Sequence, residues 1–324
     1  MSRKPLYSEG SEREHLDLFA GCGGFTLGLS RSNLDVSTTR ICEKDPKALK
    51  TLELRYPEIP KTPNDIKELS YAPKTTRKPW IITGGFPCQD ISGANPFGKG
   101  LKGSRSGLWF EFKRIIQETQ PEWVIIENSP NLRSKGLGTV LKDLREIGYL
   151  GVYTIIGGQH LGSPMPHKRE RIWIVAHPMR SVWRFQPQGN PEVLGQGGES
   201  PEKTERSPLS DKTGRSGEGT ETLAHSDSEG REGGLSGREI AWGQTLLGCI
   251  GRCLSELKGR RRVAPPSPYQ HSWEPPRLKP RLDRSSSRIS SRVDRLRQIG
   301  NSVIPDIPEA IGNAIHLMEN NATT

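Results

Sequence analysis

Asp17-Leu-Phe-Ala-Gly-Cys-Gly-Gly-Phe-Thr-Leu-Gly28 decides how this chain is to be read. The stretch begins within a short apolar run, His15 to Phe19, and opens into a helical pattern. Glycines at a strand-to-helix turn let the backbone approach a ligand closely. The spacing of Gly21, Gly23 and Gly24 differs from a dinucleotide fingerprint and from a P-loop, which argues against NAD and ATP. An acid closing the next strand can accept from ribose hydroxyls, and Glu43 stands there. Asp65-Ile66 ends the unit after that, where a hydrogen bond and an apolar contact could meet an adenine ring. Together these point to a nucleoside cofactor. A turn tightened only for packing is the alternative.

Outward from that turn, apolar strand-like runs alternate with helical patterns across 15–177. Strands are expected at 36–42, 80–83, 123–127, 149–156 and 171–176, and helices at 46–55, 108–118 and 140–147. Such alternation implies an α/β fold with a mostly parallel sheet covered on both faces. Ligands in such sheets bind at the carboxyl ends of the strands, where the motifs of this chain fall. The character changes after Pro178. Residues 186–239 are rich in Gly, Ser, Pro, Glu and Arg, a composition that buries little apolar surface and predicts long loops or partial disorder. One helix is expected in the apolar island 240–257. Periodic structure returns with Arg297-Gln-Ile-Gly-Asn-Ser-Val-Ile-Pro305 and a helical pattern over 308–318.

The formal net charge is +10 over 324 residues, which favours a polyanionic partner. The surplus is local: 258–297 holds 12 Lys and Arg against three acids. That concentration favours nucleic acid, with a basic solvated tail as the bland alternative. The first 14 residues form no apolar signal segment, and no run approaches the 18 apolar residues of a membrane span. Five cysteines in a chain of this length predict no disulfide framework and a reducing, cytoplasmic setting. Cys249, Cys253 and His271 miss the usual zinc spacings, so no metal is expected.

Cys88 lies in Gly84-Gly-Phe-Pro-Cys-Gln-Asp-Ile-Ser92, just past a predicted strand. A thiol there can be partly exposed and close to helix N-termini, which lowers its pKa. A lone cysteine is more often an inert small hydrophobe. Partners change the balance: Glu127-Asn128 ends the next buried strand, and Arg169 and Arg171 flank the start of another. A thiolate, a carboxyl group and two guanidiniums at strand ends suit conjugate addition to a ring. Taken singly, each has an ordinary structural explanation.

With these residues in order, the chain resembles the DNA cytosine-C5 methyltransferase family of bacteria and phages. The resemblance rests on Asp17 to Gly28, Pro87-Cys88-Gln89, Glu127-Asn128, Arg169-Glu170-Arg171 and the Gly-Asn-Ser-Val stretch ending at Val303. It covers 15–177 and 297–318. Three departures bear on local geometry: Ser129 where valine is usual, His167 where glutamine is usual, and Ser106 where glycine is common.

The resemblance implies a Rossmann-like S-adenosylmethionine (SAM) domain, discontinuous in sequence, formed by 15–177 with 298–319. A smaller, irregular target-recognition region would occupy 178–297. It implies Cys88, Glu127, Arg169 and Arg171 as catalytic residues, and SAM contacts from Phe19, Gly21, Gly23, Glu43, Asp65, Ile66, Asn301 and Ser302. The implied substrate is a flipped-out cytosine in double-stranded DNA. A monomer and a cognate restriction endonuclease in the same system are further expectations by analogy. An RNA-directed relative and a catalytically silent DNA-binding relative remain as alternatives.

Overall fold

The computed structural model describes residues 13–61, 63–71, 79–87, 108–161, 169–182, 235–260 and 301–321. The elements in chain order are β1 (Glu14–Leu18), α1 (Gly24–Arg31), β2 (Ser37–Cys42), α2 (Pro46–Arg55), β3 (Ile81–Gly84), α3 (Leu108–Thr119) and β4 (Trp123–Asn128). They continue as α4 (Leu132–Lys135), α5 (Leu137–Glu146), β5 (Tyr149–Ile156), β6 (Arg171–Pro178), α6 (Met179–Val182), α7 (Gly237–Arg260) and α8 (Asp306–Asn321).

The six strands form one sheet in the order β2-β1-β3-β4-β6-β5. The first four are parallel, with Leu16 beside Ile82 and Ile82 beside Val124. β6 enters antiparallel between β4 and β5, so it alone runs against the other strands. The α/β fold with a mostly parallel sheet is therefore as expected, with one reversed strand. Alternation of side chains along each strand feeds two cores. On one face, Ile82, Val124, Ile126, Ile172 and Ile174 meet α3 through Trp109, Phe112 and Ile116, and α5 through Val140 and Leu144. On the other, Ile81, Trp123, Ile125, Trp173 and Val175 meet α1, α7 and α8.

Local chemistry sets the helix ends. Asp45 caps α2 by accepting from Lys47 N and Ala48 N, and Pro46 takes the first helical position, where a missing N–H costs nothing. In α7 the residues Trp242, Leu246, Cys249, Ile250, Cys253, Leu254 and Leu257 are buried at helical spacing. This helix lies in the region grouped with target recognition, yet its apolar stripe completes the sheet's core. Cys249 and Cys253 are part of that stripe, and burial pushes both thiols up. Among the described residues no group of side chains could hold a metal, and no helix is long and apolar enough to cross a membrane.

The C-terminal helix returns to α1 across most of the sequence. Asn33 N donates to Asn313 Oδ1 at 2.7 Å, 280 residues away. Gly24, Gly28 and Gly312 let the two segments touch. A Cβ on Gly28 would stand 2.4 Å from Pro305 O, and one on Gly24 would stand 2.7 Å from Val303 O.

Candidate active site

The glycine turn is held open by backbone conformation. Phe19, Gly21 and Gly23 have φ of 54°, 55° and 76°, in the left-handed region that side chains disfavour. For Phe19 this is strain, of the kind that collects at functional sites. A Cβ on Gly23 would meet the Tyr56 ring at 2.5 Å, whereas one on Gly21 would meet nothing within 4 Å. The turn is thus braced on one side by Tyr56, whose hydroxyl donates to Gly23 O at 3.1 Å, and open at Gly21.

Glu43 closes β2 beside that opening. Its Oε2 accepts from Gly21 N and its Oε1 from Asp45 N, each at 2.7 Å. Burial raises its pKa, and these backbone donors pull it back. Asp65 Oδ2 accepts from Lys44 Nζ at 2.5 Å and its Oδ1 from Lys67 N at 3.1 Å. The Lys44 bond holds this carboxyl below the usual range. Ile66 is buried next to it, and Phe19 packs its ring on Phe112 at 6.2 Å. An open glycine, a carboxylate already gathering backbone donors, a second carboxylate and an apolar wall fit a nucleoside with a ribose and a base.

Beneath the turn lies a polar chain without an assigned role at the sequence level. His15 is fully buried between Thr38 Oγ1 at 2.7 Å and Thr83 Oγ1 at 2.8 Å. Thr83 donates its one hydroxyl proton to Asp17 Oδ1 at 3.2 Å. It must then accept from His15 Nε2–H, which makes Nδ1 the acceptor from Thr38. Asp17 Oδ2 accepts from Thr26 N at 3.2 Å and Thr26 Oγ1 at 2.7 Å, anchoring the start of α1. Burial raises Asp17 from 3.8 to about 7, against the Thr26 bonds, and lowers His15 from 6.5 to about 3.

These shifts act on stability with opposite signs. Between pH 3.8 and about 7 the folded chain holds a proton on Asp17 that the unfolded chain has lost, so stability falls as pH rises. Between about 3 and 6.5 the unfolded chain holds a proton on His15 that the folded chain lacks, so stability rises with pH. The two slopes cancel where the windows overlap. Asp17→Asn should remove the falling component, so that the pH dependence of its stability exceeds that of the wild type by about 1.4 kcal/mol per pH unit between pH 4 and 6. Urea melts at pH 4, 5 and 6 check this. A variant with the same pH profile as the wild type would refute it.

At the same carboxyl edge of the sheet as the glycine turn, where Leu18 lies beside Gly84 and Gly84 beside Ile126, Glu127 Oε1 pairs with Arg171 Nε at 2.8 Å. Its other oxygen, Oε2, lies 2.9 Å from where a Gly85 Cβ would stand, so a side chain at 85 would push this carboxylate from its place. Burial raises Glu127's pKa, and Arg171 and Arg169 oppose it without prevailing. Asn128 Nδ2 donates to Phe86 O at 3.1 Å, tying the end of β4 to the segment that leads into Cys88. The Ser129 departure leaves this intact: its N–H donates to Asn128 Oδ1 at 2.8 Å. Arg169 donates to Ser302 O, a contact between residues 133 positions apart.

Glu127, Arg171 and Arg169 are thus brought together, and Arg169 reaches the 301–303 segment. Glu43, Phe19, Gly21 and Gly23 share the glycine turn, and Asp65 and Ile66 neighbour Glu43 through Lys44. Cys88, His167, Ser106, residues 186–234 and the rest of the basic stretch, 261–297, lie outside the described residues. Asp17, His15, Thr83 and Lys44 were missed as functional positions. The available signal was a charged residue inside an otherwise apolar strand.

The family model for C-5 cytosine-specific DNA methylase matches residues 14–226. The chain is 35% identical over 171 residues to the type II methyltransferase M2.BsuMI of Bacillus subtilis, covering 50% of this chain and 41% of that protein. Type II methyltransferase M.Eco47II of Escherichia coli is 34% identical over 166 residues, covering 50% and 38%. Type II methyltransferase M.NlaX of Neisseria lactamica is 28% identical over 308 residues, covering 91% and 94%. The chain therefore spans less than half the length of the first two relatives and nearly all of the third. A crystal structure described as a prophage-encoded DNA modification methyltransferase of E. coli superposes with a TM-score of 0.51 at 18% identity, covering 95% of this chain and 100% of that one. That likeness speaks to the fold alone. With the family match extending over more than half of its residues, this chain belongs to the C-5 cytosine-specific DNA methylase family.

Proposed function

We propose that this chain methylates carbon 5 of a flipped-out cytosine in a specific double-stranded DNA sequence, through a covalent Cys88 adduct, with SAM as methyl donor. The observation that carries the reading is the half-buried Glu127–Arg171 pair packed over Gly85, three residues before Cys88 in sequence. Carbon 5 of cytosine is a poor nucleophile. Addition of the Cys88 thiolate to carbon 6 forms an S–C bond and pushes the ring electrons toward N3, O2 and carbon 5. Glu127, whose pKa burial raises, is suited to place a proton on N3. Arg171, oriented by Glu127, is suited to hold O2, and Arg169 adds positive charge to the same cluster. When bound, SAM supplies an electrophilic methyl group. Loss of the carbon 5 proton and expulsion of the Cys88 thiolate return the ring to aromaticity and the enzyme to its starting state.

Phe19, Gly21, Gly23, Glu43, Asp65, Ile66, Asn301 and Ser302 would hold the cofactor. The target atom is inaccessible inside a duplex, so the base must leave the stack at a cost of a few kcal/mol. The region 178–297 would provide recognition, and its basic stretch 258–297, which begins in the last turn of α7, would contact phosphates. The proposed setting is cytoplasmic, as a monomer, alongside a cognate restriction endonuclease.

Incubation with SAM and unmethylated genomic DNA, followed by sequencing for 5-methylcytosine, tests this. Methylation confined to one short context is expected, with a yield that falls as salt rises. SAM binding without any methylation across salt concentrations would overturn the reading.

A further inference from the structure

The two arginines of Arg169-Glu170-Arg171 have divided their work. Arg171 directs its Nε to Glu127, within the pair proposed to face the base. Arg169 directs an amino group to the carbonyl of Ser302, 133 residues further along the chain. Arg169 reaches it from a left-handed backbone, φ 38°, which a non-glycine residue adopts only when its surroundings fix it. Burial and the neighbouring Arg171 both disfavour its charge, while Glu127 supports it. Its guanidinium therefore stands between the Glu127–Arg171 pair on one side and the 301–303 segment on the other.

The segment is held on its other side as well, where Val303 and Ile304 pack against the core. Val303 rests against Gly24 at the start of α1, and Asn301 is exposed. The helix that follows is well anchored, with Ile307, Ala310 and Ile311 buried.

We propose that Arg169 is a positioning residue, a clasp that holds the backbone at Ser302 against the catalytic strand and so links the cofactor seat to the base-binding pair. This rests on the reading that Asn301 and Ser302 help to hold SAM. The clasp makes the two sites thermodynamically coupled: whatever orders 301–303 also orders Arg169, and Arg169 sits beside Glu127. Coupling of this kind is reciprocal, so DNA binding tightens SAM binding by the same factor as SAM tightens DNA.

SAM affinity measured calorimetrically without DNA separates a clasp from a base contact, because no base is present. Arg169→Ala should weaken SAM binding by about 10-fold, as expected for loss of a charged hydrogen bond. Its KM for SAM should rise in addition to any loss of kcat that follows from removing its charge beside Glu127. Arg169→Lys should recover part of the affinity, since an ammonium can still reach a single carbonyl. Arg171→Ala should leave DNA-free SAM affinity near that of the wild type and lose kcat instead. Amide hydrogen exchange over 301–305 in the cofactor-free protein should quicken in Arg169→Ala and not in Arg171→Ala, a readout that does not depend on SAM. Wild-type SAM affinity and unchanged exchange in Arg169→Ala, with loss of kcat alone, would overturn the clasp and make Arg169 a base contact. Failure of the wild type to bind SAM would remove the cofactor reading, while the exchange data would still decide the clasp.

Discussion

Cys88→Ala should lower methyl transfer by about 10⁴-fold or more while leaving SAM and DNA binding near wild-type levels. The adduct to carbon 6 is what makes carbon 5 reactive, and binding alone does not supply it. The thiols of the glycine turn and of β2 are poor substitutes. Burial and the surrounding carboxylates push Cys42 up to about 12, and burial raises Cys22 as well. Both remain protonated at neutral pH. Glu127→Gln makes the companion measurement. It keeps the shape over Gly85 but removes the transferable proton and the charge paired with Arg171, and should cost about 10²–10⁴-fold in kcat. Trapping of a covalent complex on DNA containing 5-fluorocytosine distinguishes the two variants: Cys88→Ala should give none, and Glu127→Gln a slow but detectable yield. Equal rates for Cys88→Ala and the wild type would end the covalent mechanism.

Gly28→Ala should be the most damaging single methyl group in the described part of the fold. The added Cβ would stand 2.4 Å from Pro305 O, 2.7 Å from Pro308 Cβ and 3.1 Å from Glu309 N. Two of these are backbone atoms at the entry to α8 and cannot swing aside as a flexible side chain would. Relief requires α8 to move away from α1, which opens the core around Phe25, Leu29, Ile307 and Ile311. Overpacking of this kind costs on the order of 1–3 kcal/mol, and the lost contacts add to it. Chemical denaturation should register the loss. Because α8 follows directly on 301–303, SAM affinity should fall in parallel. Gly138→Ala, with open space around the new methyl, is the control and should be neutral or slightly stabilising. Equal stability of Gly28→Ala and the wild type would show that α8 can shift without penalty.

Much of this architecture was legible in the sequence because periodicity and turn chemistry are local. Pro46 to Arg55 and Tyr149 to Ile156 fall where the patterns place them, since Asp45-Pro46 caps a helix and the second run is apolar and β-branched. The reversal of β6 was not legible. A buried apolar strand reads the same in either direction, and its pairing with β4 and β5 is decided by long-range packing. The role of α7 was hidden for a different reason. Glycines at 243, 248 and 251 and the polar sequence around it made the helix look like part of the irregular region, and its apolar stripe gains meaning only against Val152 and the residues of α8. In the site, the motifs gave residue types, while partners came from three dimensions. That Arg171 takes Glu127 and Arg169 takes Ser302 cannot be read from two arginines one residue apart.

The return of α8 to α1 also sets a clock on biosynthesis. Asn33 and its partner Asn313 are separated by 280 residues. At about 5–20 residues per second, a ribosome needs roughly 14–56 s to cover that distance. Trp173 reaches Phe25 earlier, but the side of α1 that meets α8, with Leu29 beside Gly312, waits the whole interval for its permanent cover and depends on chaperones or provisional contacts until then. The same delay makes the product all-or-none: a polypeptide released before α8 emerges carries the sheet and the Glu127–Arg171 pair, but it lacks the element that closes the core and the Ser302 carbonyl that Arg169 holds.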